Sequence, residues 1–283
     1  MGRAATTTRT AAALAALAAL AGALTVSGAA TAAPKQPRDY ALDPPKRGLW
    51  ATGDAFTLGV QGALELRLPI EDEGTGMVHL RASSLASLGF GEVAGHAEAR
   101  LMFLTLGATG GYRDAWRTTR AAPGKELSRQ ARTDLEQGGQ ATAEVWPFAE
   151  GRARLTVPLE SLFFVTMHTV RWEDSPAGAY DWFHANVHDG GVLYRADSTL
   201  YARSSRFGAF GPTLRFMDMP RDGGRVREVA VGANLVSRVG LFKRDDLLFA
   251  SLLVRPGDPE FGYSVLRLPI WTIIAYRASF RVW

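Results

Sequence analysis

The 283-residue sequence contains no cysteine, and that absence removes several classes of protein at once. A disulfide framework, a thiolate metal site and an acylated N-terminal cysteine are all excluded. The fold has to be held by burial and hydrogen bonding alone. Histidine is scarce: there are five, His79, His96, His168, His184 and His188. None has serine two residues on, the spacing that sets a base and a nucleophile on one face of a strand. Excess charge is lacking too. Without Arg3 and Arg9, the formal charge of +4 from 32 basic and 28 acidic residues falls to +2, which argues against a nucleic-acid binder with its clustered basic surface. After Ala33 no apolar run approaches the ~20 residues of a spanning helix. If this chain crosses a membrane, it does so with strands.

The N-terminus reads as a secretory signal peptide. Arg3 and Arg9 form a basic start, no acidic residue precedes Asp39, and an Ala/Leu-rich stretch runs from Ala11 to Val26. Small residues at Ala30 and Ala32 suit a signal peptidase. The expected division is a signal peptide over 1–32, a periplasmic lead-in over 33–54 that begins rich in proline and charge, and one large all-β domain over 55–283.

The dominant pattern is strict alternation. From Ala55 to Ile70 the even positions run Phe56, Leu58, Val60, Gly62, Leu64, Leu66, Leu68 and Ile70, while the odd ones include Thr57, Gln61, Glu65 and Arg67. Successive strand side chains point to opposite faces, so this segment has one apolar and one polar face. A helix would scatter Glu65 and Arg67 among the leucines. The same alternation recurs over Val78–Phe90, Ala97–Phe103, Ala153–Val165, Val192–Ala202, Val229–Leu235 and Ile274–Val282. It is weaker over Gln140–Trp146, Gly208–Met219 and Asp246–Arg255, the last being apolar on both faces. The count is ten strands, within a range of 8–12.

With the N-terminus on the inner side, the outer connections would be Glu71–Gly76, Arg113–Gly139, Glu173–Gly190, Pro220–Arg225 and Pro256–Gly262. The inner ones would be Gly91–Gly95, Pro147–Gly151, Ser204–Phe207 and Val239–Asp245, all short. Short turns on one side and long loops on the other, with an even strand count, mark a membrane barrel. From its signal peptide to its last strand, Ile274-Ala-Tyr276-Arg-Ala278-Ser-Phe280-Arg-Val282-Trp283, the chain resembles the general class of Gram-negative outer-membrane β-barrels. The resemblance implies a closed antiparallel transmembrane barrel in the cell outer membrane, in contact with outer-membrane lipid. It also implies that the C-terminal strand is a recognition signal for the barrel-assembly machinery. A soluble lipocalin-like barrel is the competing architecture, with the apolar faces turned inward. Ten strands of Leu, Phe and Val would overfill that small core.

The polar faces hold the one extended constellation. Glu65, Arg67, Arg81, Glu98, Arg100, Arg152, Arg154, Glu160, Arg195, Asp197, Arg203, Arg215, Glu228, Arg238, Arg277 and Arg281 are expected to point into the lumen. They would either favour anions in a pore or fill the lumen with ion pairs, and near the small end of the barrel series the filled lumen is the expectation. Tyr180, Trp182, Phe183, His184 and His188 are candidates for recognition on the outer loop Glu173–Gly190, with an interfacial belt including Trp172 as the alternative. His184, His188 and Asp189 could bind a metal or act with Asp181 as an acid–base pair, though a solvated loop explains them as well. Lys125–Glu136 reads as a short polar helix. Gly190-Gly191 and Gly223-Gly224 are turn residues with no phosphate-cradling context. No catalytic, cofactor or metal assignment follows. The reading is a structural or small-solute porin-like barrel, with surface binding or adhesion through 113–139 and 173–190, or hydrolysis, as alternatives.

Overall fold

The computed structural model describes residues 47–70, 76–123, 128–137, 142–204, 208–239, 246–256, 258, 261–262 and 270–283. The expected signal peptide and most of the lead-in lie outside them. The elements are β1 (Gly48–Phe56), β2 (Gly59–Pro69), β3 (Gly76–Ser87), β4 (Gly91–Leu101), β5 (Leu104–Thr118), α1 (Arg129–Gln137), β6 (Thr142–Leu159), β7 (Leu162–Glu173), β8 (Ala179–Asp181), β9 (Asn186–His188), β10 (Gly191–Ser204), β11 (Gly208–Arg221), β12 (Gly224–Arg238), β13 (Leu247–Val254) and β14 (Trp271–Arg281). Twelve strands form one closed antiparallel barrel, and β8 and β9 form a separate hairpin. Each barrel strand pairs with its neighbour in the chain, β7 pairing with β10 across the hairpin, and β1 pairs with β14 to close the sheet.

The count is therefore twelve, and the expectation of ten is corrected. Gly48–Asp54, read as the end of the lead-in, belongs to the first barrel strand. The apparent single strand Ala55–Ile70 is interrupted by a two-residue turn at Thr57 and Leu58, with Phe56 opposite Gly59. A second two-residue turn, Met102 and Phe103, separates β4 from β5. Across such a turn, alternation continues in the sequence while the faces exchange. Phe56 thus points inward although Val60, Leu64 and Leu66 point outward, and Phe163 and Val165 turn inward beyond the β6–β7 turn. The expected turns Gly91–Gly95 and Pro147–Gly151 lie inside β4 and β6. The β2–β3 connection sits at the same end as the chain termini rather than with the long loops.

Register defines two faces around much of the wall. Glu65, Arg81, His96, Thr109, Glu150, Arg171 and Leu193 are successive partners on the inside. Leu64, Ala82, Gly95, Gly110, Ala149, Trp172 and Val192 are successive partners on the outside. The outer face is apolar and uncovered: Leu64, Val93, Leu106, Val145, Val170, Leu214 and Ile274 are all exposed, Val145 at 66%. On the inner face of β13, Leu253 is buried against Trp271 and Ile273 of β14. That packing accounts for a strand apolar on both sides.

Close approach demands glycine at Gly232. A Cβ there would come within 1.8 Å of the Leu252 carbonyl oxygen on the paired strand, whereas one at Gly62 would meet nothing within 4 Å. Gly232→Val should therefore destabilise the barrel by about 1–3 kcal/mol, the usual cost of overpacking, and Gly62→Val should not. Thermal unfolding followed by electrophoretic mobility checks the pair. Equal tolerance of both changes would contradict the register.

Candidate functional site

At the end of the barrel opposite the termini, the connection from β7 to β10 turns into the mouth. Tyr180, Trp182, Ala185 and Val187 are buried there in one cluster with Phe90, Trp146, Leu253, Trp271 and Ile273 of the wall. Asp181 builds the hairpin tip, since its carboxylate accepts hydrogen bonds from the Phe183 backbone N–H at 2.8 Å and from His184 Nδ1 at 2.5 Å. Short acidic side chains form such turns by replacing a backbone acceptor. Ala185 adopts the left-handed conformation (φ 54°) that reverses the chain.

Backbone bonds seat the segment at its base. Tyr180 N donates to Thr119 O at 3.0 Å and Ala121 N to Gly178 O at 2.8 Å. Helix α1, N-capped by Ser128 through its hydroxyl and the Ala131 N–H at 3.2 Å, covers the hairpin from outside. Leu135 joins the buried cluster, Tyr180 donates to Glu136 at 2.8 Å, and the buried Arg132 donates to the Ala185 carbonyl.

Below the tip the wall is ionic. Glu92 receives Arg113 at 2.6 Å and Arg171 at 2.9 Å, and Arg171 also reaches Glu173 at 2.9 Å. His188 stands 3.1 Å from Glu173, both side chains being almost wholly buried. Asp197 pairs with Arg195 at 2.9 Å and Arg215 at 2.6 Å. A cavity of about 340 Å³ lies among these groups. Across the seam, Asp54 takes Arg277 at 2.6 and 2.8 Å.

Most residues read as lumen-facing occupy inward register positions: Glu65, Arg67, Arg81, Glu98, Arg100, Arg152, Arg154, Arg195, Asp197, Arg203, Arg215, Glu228, Arg238, Arg277 and Arg281. Glu160 is placed in the exposed β6–β7 turn instead. Tyr180, Trp182 and His188 are buried, and Phe183 and His184 are partly buried, so none of the five stands on a solvated loop face. Trp172 is outward and 44% exposed. His184, His188 and Asp189 are engaged separately: His184 by Asp181 and Arg195, His188 by Glu173, and Asp189 by the Gly178 N–H at 2.8 Å.

Glu92 and Arg113 were missed, having been assigned to an expected turn and loop. Glu92, Ala94, His96, Glu98 and Arg100 nonetheless alternate with Val93, Gly95, Ala97, Ala99 and Leu101, and that signal was available.

No family model matches this chain, and no curated protein matches it. Solved structures with a similar fold include LpxR from Salmonella typhimurium, at 10% identity and TM-score 0.39, covering 82% of this chain and 99% of that one. The beta domain of the Bordetella autotransporter BrkA has 15% identity and TM-score 0.44, covering 83% of this chain and 98% of that one. The translocator domain of the autotransporter NalP from Neisseria meningitidis has 10% identity and TM-score 0.36, covering 97% and 96%. Likeness this remote carries no activity across.

Partner geometry fixes the protonation of His184. Arg195 Nη1 lies 2.6 Å from its Nε2, and a guanidinium only donates. Nε2 must therefore accept, Nδ1–H donates to Asp181, and the ring is neutral. Burial pushes the His184 imidazole below its ordinary value of 6.5, and Arg195 and Arg215 add to this against the pull of Asp181. Burial would raise the Asp181 carboxyl, but the hydrogen bond from the neutral His184 ring and the nearby Arg113 guanidinium outweigh it and hold it well below 3.8.

Both folded values are depressed, so the stabilisation is full above the ordinary values and is lost on acidification. Loss begins below 6.5 through His184 and continues below 3.8 through Asp181. Between pH 7.5 and 5, the tryptophan emission of the mouth should shift to the red and protease cleavage within 174–190 should rise. His184→Gln should flatten both changes. A pH-independent mouth in the unaltered protein would refute the assignment.

Proposed function

We infer that this chain spans the outer membrane as a twelve-stranded barrel whose outward mouth is closed by its own β7–β10 segment, making it an occluded barrel rather than an open pore. The observation that carries the reading is the burial of Trp182, Ala185 and Val187 inside the mouth against Phe90, Trp146 and Trp271. Twelve strands enclose more space than the eight whose side chains fill a barrel, and fewer than the sixteen that leave a channel. The inserted hairpin takes up the difference.

Membrane residence is supported by the uncovered apolar face, since contiguous apolar surface of this extent is avoided in water. Aromatic residues sit near both ends of that face, with Tyr112, Trp116 and Trp172 toward the long loops and Phe280 toward the termini. Such girdles mark the two lipid–water boundaries. Most barrel strands meet the ~9–11 residues that a tilted membrane strand requires. The termini would face the periplasm and the hairpin the cell exterior. The buried positions of Tyr180, Trp182 and His188 count against adhesion through this loop, and the engagement of both His184 nitrogens counts against a hydrolytic base there.

Glu173 and Gly191 are directly paired, so a short Gly-Ser turn can replace 174–190 without shifting the register. In planar bilayers the unaltered protein should give no resolved conductance steps at neutral pH. The shortened protein should give steps with anion selectivity, set by its arginine-rich wall. Large steady conductance from the unaltered protein would overturn the occluded reading. Leu214→Arg, at an exposed outward position in the middle of β11, should cost about 2–4 kcal/mol of folding stability in bilayers. Little effect there would count against the lipid-facing assignment.

A further inference from the structure

The lumen has a second cavity, of about 250 Å³, at the terminus end of the barrel. Its charge balance differs from that of the outer cavity. Around the outer one, Glu92, Glu150, Glu173 and Asp181 stand among the arginines. The inner one is lined by Arg100, Arg154 and Arg203, and among the described residues no carboxylate lines it. Arg154 Nη2 donates to Thr105 Oγ1 at 3.2 Å, which fixes the guanidinium against the cavity wall. A guanidinium carries donors only, so this group can hold an incoming acceptor.

Apart from Thr105, Thr156 and the Tyr201 hydroxyl, the rest of the lining is apolar. Phe163 stacks on Tyr201 with centroids 4.9 Å apart and planes 15° from parallel, and the Arg203 guanidinium lies 5.2 Å from the Phe163 centroid. Met102 and Phe103, exposed at 60% and 41%, form part of the rim. A cation would meet three guanidinium groups here. A bare inorganic anion would satisfy the donors but leave the aromatic shelf without a partner. A molecule with one acidic group and an apolar body matches both halves, as small-molecule sites pair an apolar wall with a few placed polar groups.

We propose that this inner cavity binds a small organic anion, its acidic group held by Arg154 with Arg100 and Arg203, and its apolar body against Phe163 and Tyr201. The site stands on the cavity alone and does not depend on the state of the outer mouth.

The test is calorimetric titration of the full chain in neutral maltoside detergent, against a protein-free micelle blank. The probes are 3-phenylpropanoate, its uncharged amide and inorganic phosphate. The acid should bind saturably. The amide should be at least about tenfold weaker, the loss expected from removing one charge-assisted contact, and phosphate, which leaves the aromatic shelf empty, weaker by at least about the same factor. Arg154→Gln should weaken the acid about tenfold and leave the amide unchanged, and Arg281→Gln, outside the cavity, should change nothing. Equal binding of acid and amide, phosphate as tight as the acid, or no binding of the acid would overturn the proposal. So would an unaffected Arg154→Gln protein. If that variant fails to assemble, the three-probe comparison on the unaltered protein decides.

Discussion

The closing of β1 onto β14 is the constraint on which the rest depends. Trp50 to Phe56 pair residue by residue with Arg281 back to Ala275. Inside the seam, Asp54 takes a two-pronged grip from Arg277 at 2.6 and 2.8 Å. Until these strands meet, each presents a row of unpaired backbone N–H and C=O groups. In hydrocarbon no water would satisfy them, and each costs several kcal/mol. Closure fixes one inside and one outside for the whole chain, which makes strict alternation obligatory. The seam also reaches into the lumen: Arg81 lies 3.6 Å from Asp54 and 3.7 Å from Glu65. The ionic lining is thereby anchored to the pairing that closes the wall.

Closure at twelve strands creates a second problem, because strand side chains alone do not fill the ring. The two ends meet it differently. At the loop end the chain folds a hairpin back into its own mouth, and arginines and carboxylates pair beneath it. Pairing matters there, since removing one member of a buried ion pair typically costs about 3–5 kcal/mol. At the terminus end nothing from the described residues is inserted, and the cavity there is lined by arginines with no carboxylate among the described lining residues.

The barrel was legible in the sequence because a wall one residue thick leaves a period of two wherever it faces two surroundings. What was missed traces to particular turns. Met102 and Glu160 adopt left-handed backbone (φ 48° and 50°) at positions where Asn or Gly would have signalled a hairpin, so two-residue turns passed as continuous strand. Gly91 and Gly95 misled in the opposite direction, suggesting a turn within β4. The outward-facing leucines and the inward charges survived these errors because alternation is local, whereas strand count is not. The hairpin was illegible for a different reason. Strands of three residues carry too little alternation to read, and buried Tyr180 and Trp182 look in sequence like interfacial aromatics. Only the circumference of the closed wall tells the chain that they have a mouth to fill.

That mouth grips the hairpin in two ways. An apolar cluster surrounds it, gathering Ala185 and Val187 with Phe90 and Trp146 as well as with Ala230, Leu253, Trp271 and Ile273. Trp271 also donates from its indole nitrogen to the Phe183 carbonyl at 2.9 Å. Charged groups hold it from both sides too. Glu92, Arg113, Arg171 and Glu173 of β4, β5 and β7 meet Asp181 and His188, while Arg255, paired with Glu228 of β12, donates to Asn186 at 2.8 Å. Area-driven burial of apolar groups does not depend on protons, whereas the charged contacts depend on which groups are ionised. A perturbation of charge therefore loosens the ionic contacts while the apolar cluster still holds the hairpin, and the segment is tethered at both ends to adjacent strands. The geometry favours a mouth that relaxes in place over one that ejects its plug.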